Sequence, residues 1–137
     1  MDQQQRIDFL NEQKPGFLTL LGGEIIALDL DARTCTFEFT VPLDYCHSGN
    51  IVQGGFVTAM LDAAMAHAVF GTEINISRLS SLEISTRYED ATRGEVRLLV
   101  TGRVRKATRS IAFLDGEIID ADGKLCATAH SVAKISR

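Results

Sequence analysis

Residues 47–70 read HSGNIVQGGFVTAMLDAAMAHAVF, a polar loop that runs into the most apolar segment of the 137-residue chain. From Phe56 to Phe70 this segment contains one acid, one histidine and one threonine among otherwise apolar residues. A helix that is apolar on nearly all sides belongs in a protein core. An ionised carboxylate in such a helix is costly unless it is paired or used. Asp62 is therefore the first candidate functional residue.

The rest of the chain predicts an α+β domain built around this helix. Six strands and one long apolar helix favour an antiparallel sheet of five to six strands wrapped around the helix, with a short N-terminal helix. One domain over residues 1–137 is expected. The predicted elements are a helix at Arg6–Gln13, a turn or short helix at Phe17–Leu21, strands at Glu24–Leu30 and Thr34–Val41, the long helix from Gly54 to about Phe70 with Gly71 as its C-terminal cap, and strands at Leu79–Tyr88, Glu95–Lys106, Ser110–Asp120 and Lys124–Ile135.

Composition argues against several classes of protein. The net charge of −4 gives no basic excess for nucleic acid. The N-terminal residues lack a signal-peptide pattern, and no uncharged apolar run reaches the roughly 18 residues that a membrane span needs. Three cysteines without framework spacing indicate reduced thiols in a cytoplasmic protein. No histidine and cysteine spacing matches a structural zinc site, so no metal is predicted.

Gly54 and Gly55 are placed at the predicted start of the long helix. The first N–H groups of a helix have no intrahelical partner, and the helix dipole is positive there. A glycine lets a substrate carbonyl approach these donors closely, which suits an oxyanion hole. The pair could equally form only a tight turn into a packed helix.

The spacing of Gly54 and Asp62 constrains how they can act together. Eight residues of helix separate them by about 12 Å along the axis. An oxyanion donor and a base or nucleophile must each lie within about 3 Å of the reacting groups. Two antiparallel helices from a twofold dimer could bring Gly54 of one chain to Asp62 of the other. If both residues are catalytic, the active unit is a homodimer.

The element order and the Gly54-Gly55-x6-Asp62 spacing resemble those of hotdog-fold acyl-CoA thioesterases, in particular the phenylacetic-acid-degradation-related branch. The resemblance covers about Gly16 to Ile135. It implies hydrolysis of acyl-CoA to free acid and coenzyme A. The Gly54 N–H would be the oxyanion donor, and Asp62 the nucleophile or the base that activates water, across a dimer interface. Coenzyme A is part of the substrate, and no separate cofactor is implied.

The loop before the glycines departs from the family pattern. Gln53 stands where the family usually has histidine, and His47 stands where asparagine or glutamine is common. Gln53 can still donate a hydrogen bond to the thioester oxygen but cannot titrate. His47 could orient water or assist the leaving thiolate, or be a surface histidine. Asn50 is a further candidate to reach the substrate.

The resemblance implies further site residues after the helix. A serine at the start of the next strand would assist the attacking water; Ser81 is favoured over Ser80. Arg105, Lys106 and Arg109 lie where relatives bind the phosphates of coenzyme A, and basic groups suit a polyanion. Relatives also commonly pair their sheets, so a dimer of dimers is expected beyond the homodimer.

Two other functions remain open from the sequence. One is a hotdog enoyl-CoA hydratase or dehydratase centred on Asp44 and His47. The other is an acyl-CoA-binding protein without turnover, although a pure binder has no need of a carboxylate beside an oxyanion hole. Acyl specificity is not predicted.

Overall fold

The computed structural model describes residues 1–137, and its helices and strands follow the predicted order. Two short strands and a 3-10 turn, absent from the prediction, lie before the long helix. The elements are α1 Gln3–Gln13, α2 Gly16–Leu20, β1 Gly23–Asp29, β2 Thr34–Thr40, a 3-10 turn Leu43–Tyr45, β3 Cys46–His47, β4 Ile51–Val52, α3 Gly54–Thr72, β5 Arg78–Tyr88, β6 Arg97–Ala107, β7 Ile111–Asp120 and β8 Leu125–Ser136.

The six long strands form one antiparallel sheet in the order β1-β2-β6-β7-β8-β5. Alternate side chains of each strand point to opposite faces, and on β6 the buried ones are Leu98, Val100 and Val104. Helix α3 packs on this buried face, mainly against β6, β2 and β7. The predicted α+β architecture is confirmed, and the sheet has six strands.

Two glycines let α3 approach the middle of the sheet. Gly102 of β6 pairs with Gly116 of β7, and both lie beneath the helix. A Cβ atom on Gly102 would come within 2.2 Å of the Ala64 carbonyl oxygen. The separation between helix and sheet therefore depends on the absence of a side chain at this position.

The predicted role of Gly71 as a helix cap is wrong. Helix α3 runs through it to Thr72, and the next residue, Glu73, is extended. Gly71 is buried, and a Cβ atom there would come within 2.6 Å of Leu28 Cδ2. Close packing of α3 against β1 accounts for this glycine better than a left-handed turn does, since its φ is not positive.

Helix α3 is a core helix. By length and composition alone it could cross a membrane, but 56% of its most apolar window is buried within the chain. Its ten buried residues include Met60, Leu61 and Met65, none of which has accessible surface. Burial in the fold explains why this segment is apolar on nearly all sides.

Helix α1 covers one end of the sheet. It begins with a capping box, in which the Asp2 carboxylate accepts from the Gln5 N–H and the Gln5 side chain accepts from the Asp2 N–H. Farther along, the Asn11 side chain hydrogen-bonds both the N–H and the C=O of Ile25 on edge strand β1. The Asn11 contacts hold α1 against β1 and shield part of that edge.

Candidate active site

The Asp62 carboxylate is held by strand β5. Its Oδ1 accepts a hydrogen bond of 2.9 Å from the Ser81 hydroxyl. Asp62 is half-buried on the side of α3 that the sheet leaves uncovered, so its carboxylate is not enclosed within one chain. The structure thus brings together two residues that the sequence proposed for the site.

A bulge in β5 makes this contact possible. The pairing of β5 with β8 shifts register between Ser81 and Glu83, which leaves Leu82 as an extra residue. Ser81 before the bulge and Thr86 and Tyr88 after it all contact α3. In a regular strand, odd and even residues face opposite sides. The extra residue reverses the alternation, so both parts of the strand present side chains to the helix.

The start of α3 offers two free donors. Neither the Gly54 nor the Gly55 N–H donates a hydrogen bond within the chain, whereas those of Phe56 and Val57 donate to the Gln53 carbonyl. Both glycines are at the positive end of the helix dipole. They line a groove of about 430 Å³ together with His47 and Tyr88. This arrangement can stabilise an anion or the oxygen of a polarised carbonyl.

Tyr88 was missed by the sequence analysis. Its hydroxyl donates to the Gly54 carbonyl at 2.9 Å and lies 3.0 Å from the Thr58 hydroxyl. Thr58 in turn contacts the Thr86 hydroxyl at 2.9 Å. This chain of hydroxyls ties the first turn of α3 to the end of β5. No motif in the sequence could reveal it, because the bulge determines which β5 residues face the helix.

The two halves of the site are separate within one chain. Helix α3 is continuous from Gly54 to Thr72, so about 12 Å of helix axis separates Gly54 from Asp62. The distance predicted from the spacing therefore stands. One chain cannot place the free N–H groups and the carboxylate on the same carbonyl.

The sequence from residue 49 to residue 127 matches the family model described as Thioesterase superfamily. This range covers more than half of the chain and includes Gly54, Asp62 and Ser81. The chain belongs to the thioesterase superfamily. Membership indicates thioester hydrolysis as the class of reaction. No curated protein matches the sequence significantly.

Solved structures similar to this superfamily member agree with the predicted hotdog fold and branch. A phenylacetic acid degradation-related protein from Ralstonia eutropha is 26% identical, with a TM-score of 0.84 over 94% of this chain and 98% of that one. The Escherichia coli PaaI protein from the phenylacetic acid degradation operon is 18% identical, with a TM-score of 0.84 over 98% and 93%. A hypothetical thioesterase from Streptococcus pneumoniae, crystallised with coenzyme A, is 16% identical, with a TM-score of 0.74 over 83% and 85%.

The loop of this thioesterase-superfamily chain holds its predicted residues in different ways. The exposed His47 ring hydrogen-bonds the neighbouring Ser48 hydroxyl at 3.0 Å. Gln53 is exposed at the N-cap position, and its side chain makes no capping bond. The Asn50 amide oxygen instead accepts from Arg93 at 2.8 Å, which anchors the loop. His47 therefore lines the groove of the glycines with its ring bonded only to its neighbour in the loop, Gln53 precedes Gly54 directly, and Asn50 is engaged elsewhere.

The remaining predicted residues lie away from Asp62. Ser80 is exposed and, as the neighbour of Ser81 in a strand, faces the opposite way. Lys106 and Arg109 are exposed at the end of β6 and the following turn, and their side chains form no ion pair. Arg105 Nε lies 3.5 Å from Asp115 Oδ2, so its charge is partly offset.

Asp115 is the centre of a separate cluster on the outer face of the sheet. It accepts from Arg103 at 2.8 Å and contacts His130 Nδ1 at 2.9 Å. Partial burial is the largest single effect on Asp115 and by itself would raise its pKa. The hydrogen bonds from Arg103 and His130 and the charge of Arg105 together outweigh burial, so the pKa of Asp115 is lowered. Because α3 lies on the other face, this cluster is not part of the site around Asp62.

The two residues of the hydratase alternative, Asp44 and His47, do not contact each other through their side chains. Asp44 is exposed in the 3-10 turn, and His47 is exposed in β3. No hydrogen bond or ion pair connects their side chains. No specific contact in the chain favours that alternative.

Proposed function

We propose that the chain is an acyl-CoA thioesterase that hydrolyses its substrate to a free acid and coenzyme A, with Asp62 as the catalytic carboxylate. The observation that carries this proposal is the hydrogen bond between Ser81 and Asp62 in a member of the thioesterase superfamily. It fixes the orientation of a carboxylate that stays open to a ligand on the uncovered side of α3. A held but accessible carboxylate suits a nucleophile or general base.

Two routes are consistent with this carboxylate. In the first, Asp62 attacks the thioester carbonyl, the thiolate of coenzyme A leaves, and water cleaves the resulting anhydride. In the second, Asp62 removes a proton from water as the water attacks the carbonyl, and the tetrahedral intermediate then breaks its C–S bond and releases the thiolate of coenzyme A. Both routes consume one water molecule and give the same products, the free acid and coenzyme A. The two routes can be distinguished by a single turnover in ¹⁸O-labelled water, followed by mass spectrometry of the acid and of the Asp62 peptide. Label in Asp62 indicates the anhydride route.

The oxyanion formed in either route needs donors close to the carbonyl. The free Gly54 N–H at the start of α3 supports this assignment, with Gly55 beside it. Since about 12 Å separates Gly54 from Asp62 in one chain, the donor belongs to a second copy. Each homodimer then has two equivalent sites, each built from Gly54 of one chain and Asp62 of the other.

The edge of the sheet supports such a dimer. Strand β5 has a partner on one side only, and its exposed side chains include Leu82 and Tyr88 at 60% and 55% accessibility. A long unpaired edge can pair with another chain. Antiparallel pairing of two β5 strands about a twofold axis also makes the two α3 helices antiparallel. Association of two such dimers stays a prediction.

Coenzyme A is the proposed thiol portion of the substrate. A structural relative crystallised with coenzyme A supports this class of ligand. In this chain Lys106 and Arg109 lie toward the C-terminal end of α3, where Arg137 links the Arg109 and Ile74 carbonyls. In a dimer with antiparallel helices, that end approaches the partner's Gly54. We assign the phosphates to Lys106 and Arg109, with Arg105 contributing less because Asp115 neutralises it in part.

An activity assay with Asp62→Asn tests this function. Wild-type protein should release free thiol from one or more of a panel of acyl-CoA thioesters. The Asn variant keeps the size and the hydrogen bond to Ser81 but removes the charge, so turnover should be lost while light scattering still shows a dimer. Unchanged hydrolysis by the folded variant would rule out Asp62, and failure of wild type on the whole panel would rule out the proposed function.

A further inference from the structure

Besides the groove at Gly54 and Gly55, a larger cavity begins at Asp62. Its volume is about 630 Å³, and it lies between α3 and the two N-terminal helices. Phe9 of α1 and Phe17 of α2 form its outer wall, and Ala66 and Phe70 of α3 form part of its floor. From Asp62 to Phe70 the floor spans eight helical residues, or about 12 Å. The cavity therefore has the size of a small-ligand pocket and has the candidate catalytic carboxylate in its lining.

Seven of the twelve lining residues are hydrophobic, and none is a lysine or arginine. Asp62 is the only acidic residue in the lining, and Gln13, His67 and Ser77 are the other polar ones. His67 is the polar group farther along the helix, and its Nδ1 lies 2.8 Å from the Ala63 carbonyl oxygen. Because a carbonyl only accepts, Nδ1 carries the proton and Nε2 is left as an acceptor. Burial lowers the pKa of His67, so the ring is neutral at neutral pH.

The two aromatic residues of the outer wall are unusually open for their size. Phe9 and Phe17 have 49% and 47% accessibility, although both line a cavity next to the core. Helix α1 is held in place by the Asn11 hydrogen bonds to β1 and by the Arg6 guanidinium, which donates to the Gly71 carbonyl at 2.7 Å. Helix α2 is held by its fully buried Leu18. The wall is thus anchored, while its aromatic surface stays available to an apolar ligand.

We propose that this cavity binds the acyl group of the substrate, that it selects uncharged apolar acyl groups over those with a second carboxylate, and that Phe9 and Phe17 limit their length. The assignment rests on the proposed function, because only a thioester whose carbonyl lies at Asp62 directs its acyl group here. A second carboxylate would meet the negative charge of Asp62 and no lysine or arginine in the lining. The N-terminal helices would then determine acyl specificity.

The proposal predicts a characteristic dependence on acyl length. Each methylene buried in the cavity should raise kcat/KM by up to about fourfold. The increase should stop when the acyl group reaches the Phe9 and Phe17 wall. A dicarboxylic thioester such as succinyl-CoA should be a far poorer substrate than butanoyl-CoA, which has the same number of acyl carbons.

Two substitutions of opposite effect provide the test. Phe17→Ala enlarges the cavity and should move the optimum of kcat/KM toward longer acyl-CoA thioesters. Ala66→Phe fills the cavity and should move the optimum toward shorter ones. Leu20→Ala is the matched control, since Leu20 is exposed on α2 and does not line the cavity. All four proteins are assayed from acetyl-CoA to dodecanoyl-CoA, with circular dichroism and light scattering to check folding and assembly.

The outcomes separate this proposal from the proposed function. Opposite shifts of the optimum, with the control unchanged, support the acyl pocket. Hydrolysis with an unmoved optimum in folded variants overturns the pocket but leaves the thioesterase assignment intact. If Ala66→Phe dissociates the dimer and Phe17→Ala does not shift the optimum, a partner helix occupies the cavity, and the acyl-pocket proposal is likewise overturned. No wild-type turnover on any thioester overturns both. If Phe17→Ala does not fold, Phe9→Ala replaces it.

Discussion

The Ser81 hydroxyl donates a hydrogen bond of 2.9 Å to Oδ1 of Asp62, and a single bulge residue in β5 aims it there. Ser81 and Tyr88 both contact α3, although a regular strand would place them on opposite faces. One strand therefore orients both the carboxylate and the first turn of the helix. The bulge is the feature that makes a single β5 strand serve both halves of the proposed site.

Loss of the Ser81 hydroxyl should slow the reaction. A hydrogen bond to a charged group contributes about 1.5–3 kcal/mol, so Ser81→Ala should lower kcat about 10- to 100-fold if the carboxylate is no longer oriented. Steady-state kinetics measure this effect. Ser80→Ala is the matched comparison, because the neighbouring hydroxyl faces away from α3. Equal effects of the two variants would contradict the role given to Ser81.

Mixed dimers should recover activity from two inactive variants. Gly54→Pro removes the free N–H but suits the first position of a helix, and Asp62→Asn removes the carboxylate. A heterodimer of the two has one intact site, so random mixing should restore roughly a quarter of wild-type activity. Co-expression with two affinity tags allows the heterodimer to be isolated and assayed. An inactive heterodimer would mean that each chain forms its site alone.

Tyr88 should contribute through the position of Gly54. Its hydroxyl bonds the Gly54 carbonyl, and a neutral hydrogen bond is worth about 0.5–1.5 kcal/mol. Tyr88→Phe should therefore lower kcat by up to about tenfold, with little change in KM. Tyr45, the only other tyrosine, has no hydrogen bond from its hydroxyl, so Tyr45→Phe is a control. A larger effect at Tyr45 would contradict this assignment.

The neutral His67 should make stability depend on mild acid. Burial lowers the pKa of His67 from 6.5 in the folded chain. The hydrogen bond to the Ala63 carbonyl raises it in part, and the charge of Lys14 lowers it further. Well above pH 6.5, His67 is neutral in both the folded and the unfolded chain. As the pH falls below 6.5, the unfolded chain takes up this proton more readily than the folded chain does, so the free energy of unfolding decreases. Urea unfolding between pH 7.5 and 5.5 should show this fall, and His67→Gln should reduce its slope.

The glycine beneath α3 should be sensitive to the smallest side chain. In Gly102→Ala, the new Cβ would meet the Ala64 carbonyl oxygen at 2.2 Å, and backbone cannot yield easily. We expect a loss of about 1–3 kcal/mol or more in the free energy of unfolding. In the paired Gly116→Ala, the nearest atoms are the Leu61 and Met65 side chains at 3.2 Å. Urea unfolding should therefore show a smaller loss there.

The sequence by itself determined the order of elements, the apolar helix and the separation of Gly54 from Asp62. These follow from periodicity and from the constant rise of a helix, which are local properties. It also indicated Ser81, through a family resemblance. The misplaced cap at Gly71 shows the limit of local rules: a glycine near a helix end looks like a cap, whereas contact with Leu28 decides its role.

Only the tertiary structure decided which side chains meet. The bulge at Leu82 depends on how β5 pairs with β8, and it turns Ser81 toward Asp62 and Tyr88 toward Gly54. The engagement of Asn50 by Arg93 likewise joins residues that are 43 positions apart in the chain. Periodicity along one strand carries no information on register with another, because that register is set by the packing of the whole sheet on α3.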